Sequence, residues 1–306
     1  MGYGSYTASD WSALKKRKKL SESSTADSIF TSKNTSEAYS VSNIGIRESR
    51  DSIDSPQAIP VIIGFDVTSS MGYLASELAL NSLNKTIMNL CSGTIIRYPH
   101  IMCSAIGDCK SDRSPLQATQ FEADIKIMEQ LTELCLEGGG GGNDGESYNL
   151  LWYFAYKHTE SDHFEKRNGK GCLITLGDDK CHRSITRREI HRVFGDNNEY
   201  DLSNEELLRQ VREKYNVFHI NIEKGSVHDY QVLSMWQELM PGCVTVIQKK
   251  DISVLSELIT SITALSCGIS REKVMTAMDN ETVKKLSRSI AMLGKNEKAD
   301  KKRLVF

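Results

Sequence analysis

The sequence lacks several features that would have placed it quickly. It has no long apolar run: no stretch approaches the roughly 20 residues that cross a bilayer, and the N-terminus "MGYGSYTASDWSALKKRKK" has no apolar signal core. It lacks charge of one sign, with a formal net charge of −2, which excludes both the bulk basic field of a nucleic-acid binder and the acidity of a solvating chain. It lacks paired cysteines: its eight are scattered without CxxC spacing, several inside apolar runs, which points to a reducing compartment and an expected cytosolic location. The Lys-Ser/Thr of a P-loop and the GxGxxG of a dinucleotide site are both missing.

What is present suits an ordinary globular protein. A chain of 306 residues with 39% apolar and 25% charged residues can bury a proper core. Three regions are expected. Residues 1–57 are rich in Ser, Thr, Asn and charge and poor in large apolar groups, so they read as a flexible or partner-ordered leader. Within it, "SDWSALKKRKKL" fits a short basic helix capped by Ser9 or Asp10, with Trp11 and Leu14 on one face. Residues 58–268 alternate strand-like and helix-like segments, the pattern of an α/β fold with a mostly parallel sheet covered by helices on both faces. Residues 269–306 read as a C-terminal helical extension with a charged tail.

Strands are expected at about 60–66, 98–106, 171–177, 215–222 and 243–248, where short apolar runs are bounded by turn residues. Helical periodicity marks "YLASELALNSLNKTIMNLCS", "EADIKIMEQLTELCLE", "ESYNLLWYFAYKH", "SNEELLRQVREKY" and "DISVLSELITSITALS". The polar "CKSDRSPLQATQFEAD", with Asp108, Asp112 and Arg113, reads equally as a recognition rim and as an edge strand with its turns.

In such a sheet, ligands bind beyond the carboxyl ends of strands at the topological switch point. Three loops should meet there. The first, "DVTSS", sets Asp66, Thr68 and Ser70 at alternate positions after the first strand; the second is "EGGGGGNDGESY"; the third, "LITLGDD", ends in Asp178 and Asp179. Oxygen donors without His or Cys favour a hard cation, Mg²⁺ ahead of Ca²⁺ because few carboxylates are offered, with Mn²⁺ also admissible. Asp66 would hold the ion, partly through water, while the neutral oxygens of Thr68 and Ser70 leave it electrophilic. The clusters around His158 and His163, and around Cys181, His182 and His191, match no zinc spacing and read as solvated loop histidines.

"DVTSSMG", the glycine loop and Asp178 together resemble the metal-ion-dependent adhesion site (MIDAS) of von Willebrand factor A (vWA) domains. The resemblance covers about residues 58–267 and implies a Rossmann-like three-layer fold with Asp66, Thr68, Ser70, Asn143 and Asp178 around the metal. The glycine loop has no threonine where that family carries one; Asn143 is the best positional match, with Asp144 and Glu146 close behind. The wider run of motifs is similar to a bacterial and phage-encoded subgroup, and relatives at large often work beside MoxR-type AAA+ ATPases. The implied function is a non-enzymatic module that captures an acidic group of a protein partner through Mg²⁺. The alternatives are a structural or assembly protein of a phage or mobile element and an Mg²⁺-dependent phosphohydrolase with Asp66 as nucleophile. No nucleic-acid or membrane partner is expected.

Overall fold

The computed structural model describes residues 6–21, 24–68, 71, 77, 81–92, 96–136 and 145–294. Its centre is a six-stranded sheet of β1 (Ile59–Asp66), β2 (Pro99–Ile106), β3 (Leu116–Ala118), β4 (Gly171–Gly177), β5 (Tyr215–Glu223) and β6 (Val244–Gln248). The spatial order is β6-β5-β4-β1-β2-β3, parallel throughout except for β3, which runs antiparallel to β2 at the edge. The short edge strand thus falls within the polar 109–124 segment.

A parallel sheet covered on both faces must be apolar on both, and the alternation of side chains along each strand divides the core in two. Val61, Ile63 and Phe65 of β1 point into one layer with Ile101 and Cys103 of β2 and Ile174 and Leu176 of β4. That layer is closed by α2 (Leu83–Cys91), α3 (Lys126–Leu131) and α8 (Leu255–Ser266). Ile62, Met102 and Leu173 point the other way. They meet α4 (Tyr148–Lys157), α5 (Arg187–Phe194), α6 (Asn204–Val211) and α7 (Val227–Leu239). The result is a Rossmann-like three-layer α/β fold. Gly64 lets α4 lie close on the sheet, because a Cβ there would come within 2.2 Å of Leu151 Cδ2.

The leader is not a loose segment in its described part. Helix α1 (Ala8–Lys18) packs Trp11 and Leu14 into the first core layer, joined by Tyr6, Ile29, Phe30 and Tyr39. Its cap is Thr7 rather than Ser9 or Asp10: the Asp10 N–H donates to Thr7 Oγ1 (3.3 Å) while the Thr7 N–H donates to the Asp10 carboxylate (2.9 Å). Arg17 pairs with Glu129, and Lys18 Nζ donates to Thr132 Oγ1 at 2.6 Å, tying α1 to the end of α3. Further along, residues Arg47–Ser49 pair in parallel with Thr159–Ser161, and buried Arg47 donates to the Ala38 and Ala118 carbonyls. The expectation failed because it asked whether the leader could form a core of its own. Its few apolar groups instead complete one that already exists.

At the other end, α9 (Asn280–Met292) packs on the edge strand β6. Thr245 Oγ1 donates to the Ser289 carbonyl (2.6 Å), Ser289 Oγ donates to the Val246 carbonyl (2.5 Å), and Leu286 and Ile290 enter the core. Helices α5 and α7 had no counterpart in the periodicity reading, since α7 buries only Val232 and Trp236 and α5 only a narrow stripe. No helix among the described residues is long and apolar enough to cross a membrane.

Candidate functional site

Strand order places the reversal of connection between β1 and β4, and their carboxyl ends deliver Asp66 and Asp178 to neighbouring positions. Asp66 is fully buried. Its Oδ1 accepts the Thr68 N–H (2.8 Å) and hydroxyl (2.6 Å), the closed turn expected of Asp followed two residues later by Thr. Its Oδ2 accepts the Tyr148 hydroxyl at 2.9 Å. Burial pushes the Asp66 carboxyl up to about 6 against these hydrogen bonds, with the charge of Asp178 acting in the same direction. The Asp178 side chain is 4% exposed and forms an ion pair with Lys224, from the turn that follows β5.

Of the three glycine-loop residues that compete for the third position, Asn143 and Asp144 lie outside the described residues, as does Ser70 in the first loop. Glu146 is described. Its N–H donates to the Lys180 carbonyl (2.8 Å) and its carbonyl accepts the His182 N–H (3.0 Å), which bridges the end of the glycine loop to Cys181. Clamped in this way, Glu146 is buried, and among the described residues its Oε2 has no hydrogen-bond partner. Burial above all, then the charges of Asp66, Asp108, Asp179 and Asp112, pushes its carboxyl up to about 9. A carboxylic acid that holds its proton at neutral pH beside other acids marks a place short of positive charge.

Sequence reasoning missed the residue that joins the site to the core. Tyr148 opens α4, and its hydroxyl passes so close to β4 that a Cβ at Gly177 would lie 1.7 Å from it. Its ring meets His219 and Trp236 edge-on, each at 5.3 Å, and those two rings stack on one another at 3.6 Å. His219 shares a hydrogen bond with Thr175 Oγ1 (2.9 Å), and full burial holds its imidazole well below the ordinary range. Trp236 Nε1 donates to the Asp179 carbonyl (3.1 Å), so the aromatic stack holds the third loop as well as the first. A tyrosine in an apolar helical run carries no signal of such a role in sequence.

His158 and His182 are buried rather than solvated. His182 Nε2 lies 2.8 Å from Asp108 Oδ1 and its Nδ1 lies 3.2 Å from Lys110 Nζ. Donation from Nε2 to the carboxylate leaves Nδ1 to accept from the lysine, giving an ordered chain Lys110, His182, Asp108. Asp108 Oδ1 also accepts the Lys110 N–H (3.0 Å) and the Ser147 hydroxyl (3.3 Å). The 109–124 segment therefore begins in the site's supporting network at buried Cys109, with Lys110, Ser111 and Arg113 exposed beside it. His158 bonds the Gly45 carbonyl and Asp196, both at 2.9 Å, and stacks on Phe154 and Phe194. Both imidazoles are spent on structure because long-range contacts invisible in the sequence reach them.

Among the described residues no three His, Cys, Asp or Glu side chains are gathered closely enough to hold a metal ion. The donors that do converge are all oxygens, and Thr68 and Asp66 stand in direct contact.

No family model matches the sequence, and no curated protein matches it. Among solved structures the chain is similar to proximal thread matrix protein 1 of the mussel byssus, at 14% identity and a TM-score of 0.43, over 69% of this chain and 48% of that one. It is similar also to the pilus adhesin SpaC of Lactobacillus rhamnosus GG in its open conformation, at 7% identity and a TM-score of 0.44, over 72% of this chain and 30% of the adhesin. The chain thus spans less than half the length of the first and under a third of the second. At these values neither likeness carries an argument about family or function.

Proposed function

We propose that the chain is a cation-assisted protein-binding module of the von Willebrand A kind. The observation that carries this reading is the buried Oε2 of Glu146, without a hydrogen-bond partner among the described residues, beside buried Asp66. An excess of buried acid with an unfilled lone pair is costly unless something positive completes it. The donor chemistry is that of a hard divalent ion, since every candidate is an oxygen. Asp66, Thr68 and Asp178 would hold Mg²⁺, with Ser70 from the first loop and Asn143, Asp144 or Glu146 from the glycine loop. Of that trio only Glu146 lies among the described residues. Lys224, which now pairs with Asp178, would yield its place to the ion.

Bound there, the ion would supply a Lewis-acidic position at the carboxyl ends of β1 and β4. Tyr148 orients Asp66 through its hydrogen bond, and the Trp236 and His219 rings hold the Tyr148 ring in place. With Asp66 and Asp178 alone, two carboxylates roughly neutralise a divalent ion and an outside carboxylate is still attracted. Counting Glu146, three carboxylates exceed its charge and that attraction weakens. A partner of the MoxR AAA+ type, or any protein that presents an acidic group, remains the proposed class of ligand. The assembly-protein alternative has less support, because the leader it relies on for contacts spends its apolar residues in the chain's own core.

The test is isothermal titration of chelator-stripped protein with Mg²⁺, alongside Asp66→Ala and the near-isosteric Asp66→Asn. Saturable binding in the wild type and none in either variant, with unfolding still cooperative, is expected. A wild type that binds no Mg²⁺, or variants of unaltered affinity, would overturn the reading.

A further inference from the structure

A groove of about 1630 Å³ runs along the outer side of α7, between that helix and α6, with the start of β5 in its floor. It begins at Lys180 and Cys181, just past Asp178 and Asp179, and ends at Pro241 and Cys243 beyond the C-terminus of α7. Helix α7 has 13 residues, so the groove is roughly 20 Å long, the span of about six residues of extended chain.

Its lining combines apolar surface with unpaired positive charge. Half-buried Met235 and Leu239 contribute apolar surface over buried Leu208 and Val217, and Tyr230, at 78% exposure, stands at the end near the site. Arg183, Arg212 and Lys170 line the same groove, and among the described residues none of the three pairs with a carboxylate. Arg209 is engaged by Glu206 and Glu213, which leaves Glu205 and Glu238 as the opposing charges in the lining. Guanidinium groups left without partners beside an apolar floor offer bidentate sites to carboxylates, and an exposed tyrosine over such a floor is the usual anchor of a protein contact.

We infer that this groove binds an extended acidic segment of a partner protein, its carboxylates on Arg183, Arg212 and Lys170 and its apolar side chains against Met235, Leu239 and Tyr230. The inference goes beyond the cation reading and does not require it. If the ion is already neutralised by the chain's own carboxylates, recognition of an acidic partner passes to these cationic side chains. Nucleic acid fits less well: the apolar floor offers little to a phosphate backbone, and Tyr230 alone among the lining aromatics is widely exposed for base stacking.

The probe is a fluorescein-labelled peptide of ten alternating glutamates and leucines, followed by fluorescence anisotropy with the full chain at physiological salt. Parallel measurements use the matching glutamine–leucine peptide, an oligothymidylate competitor, and buffers with Mg²⁺ or with chelator. Binding of the acidic peptide, weakened roughly tenfold or more in Arg183→Glu/Arg212→Glu and less in Arg183→Gln/Arg212→Gln, and retained in chelator, is expected. Three outcomes would overturn it: equal affinity for the glutamine peptide, unchanged affinity in both double variants, or displacement by oligothymidylate at comparable concentration. Binding that vanishes in chelator but survives both double variants would overturn the groove while leaving the cation site standing. Loss of peptide binding in variants that still titrate Mg²⁺ normally would separate the two in the other direction.

Discussion

Asp66 and Glu146 are acids whose ordinary values, 3.8 and 4.5, are raised by burial to about 6 and about 9. Below about pH 3 both are protonated in the folded and the unfolded chain alike, and they add no pH dependence. As the pH rises the unfolded chain releases these protons first, while the folded chain keeps them. Stability of the metal-free protein therefore falls as the pH climbs, through about 6 on account of Asp66 and on to about 9 on account of Glu146. Thermal unfolding in chelator should show a midpoint that declines between pH 5 and 9, and Glu146→Gln should remove the part of the decline above pH 6. A midpoint that rises steadily over that range would mean that these acids are already satisfied by positive charge.

At the scale of elements, the strands were plain in the sequence because a parallel sheet buried on both faces demands unbroken apolar runs. "PVIIGFD" and "GCLITLG" are β1 and β4 almost to the residue. Helices α5 and α7 escaped because each touches the core along a narrow line, yet both carry capping signals in "TRRE" and "SVHD". Glu189 accepts the Thr186 N–H (2.8 Å) and Asp229 accepts the Ser226 N–H (3.1 Å), the reciprocal bonds of a capped first turn. The leader was misjudged for a different reason, since burial depends on what surface is offered elsewhere. Helix α1 tests this directly: Trp11→Ala should cost about 3 kcal/mol in urea denaturation, the usual scale for emptying a buried tryptophan site. A loss under about 0.5 kcal/mol would mean that α1 does not dock on the core.

For the molecule as a whole, the order β6-β5-β4-β1-β2-β3 fixes where chemistry can occur, because only between β1 and β4 do the following loops part in opposite directions. Asp66, Thr68 and Asp178 were legible because they stand at the ends of readable strands. Tyr148, Lys224, Asp108 and His182 were not, because their roles come from contacts spanning 39 or more positions, such as Tyr148 to Asp66 at a separation of 82 and His182 to Asp108 at 74. What these contacts surround is a group of buried acids whose carboxyls are raised by burial. The measurement that tests this most directly is Mg²⁺ titration at pH 7 in two buffers of different ionisation enthalpy, which counts the protons released per ion bound. Release of about one proton is expected in the wild type and close to none in Glu146→Gln. Magnesium binding without proton release in the wild type, or no binding at all, would contradict it.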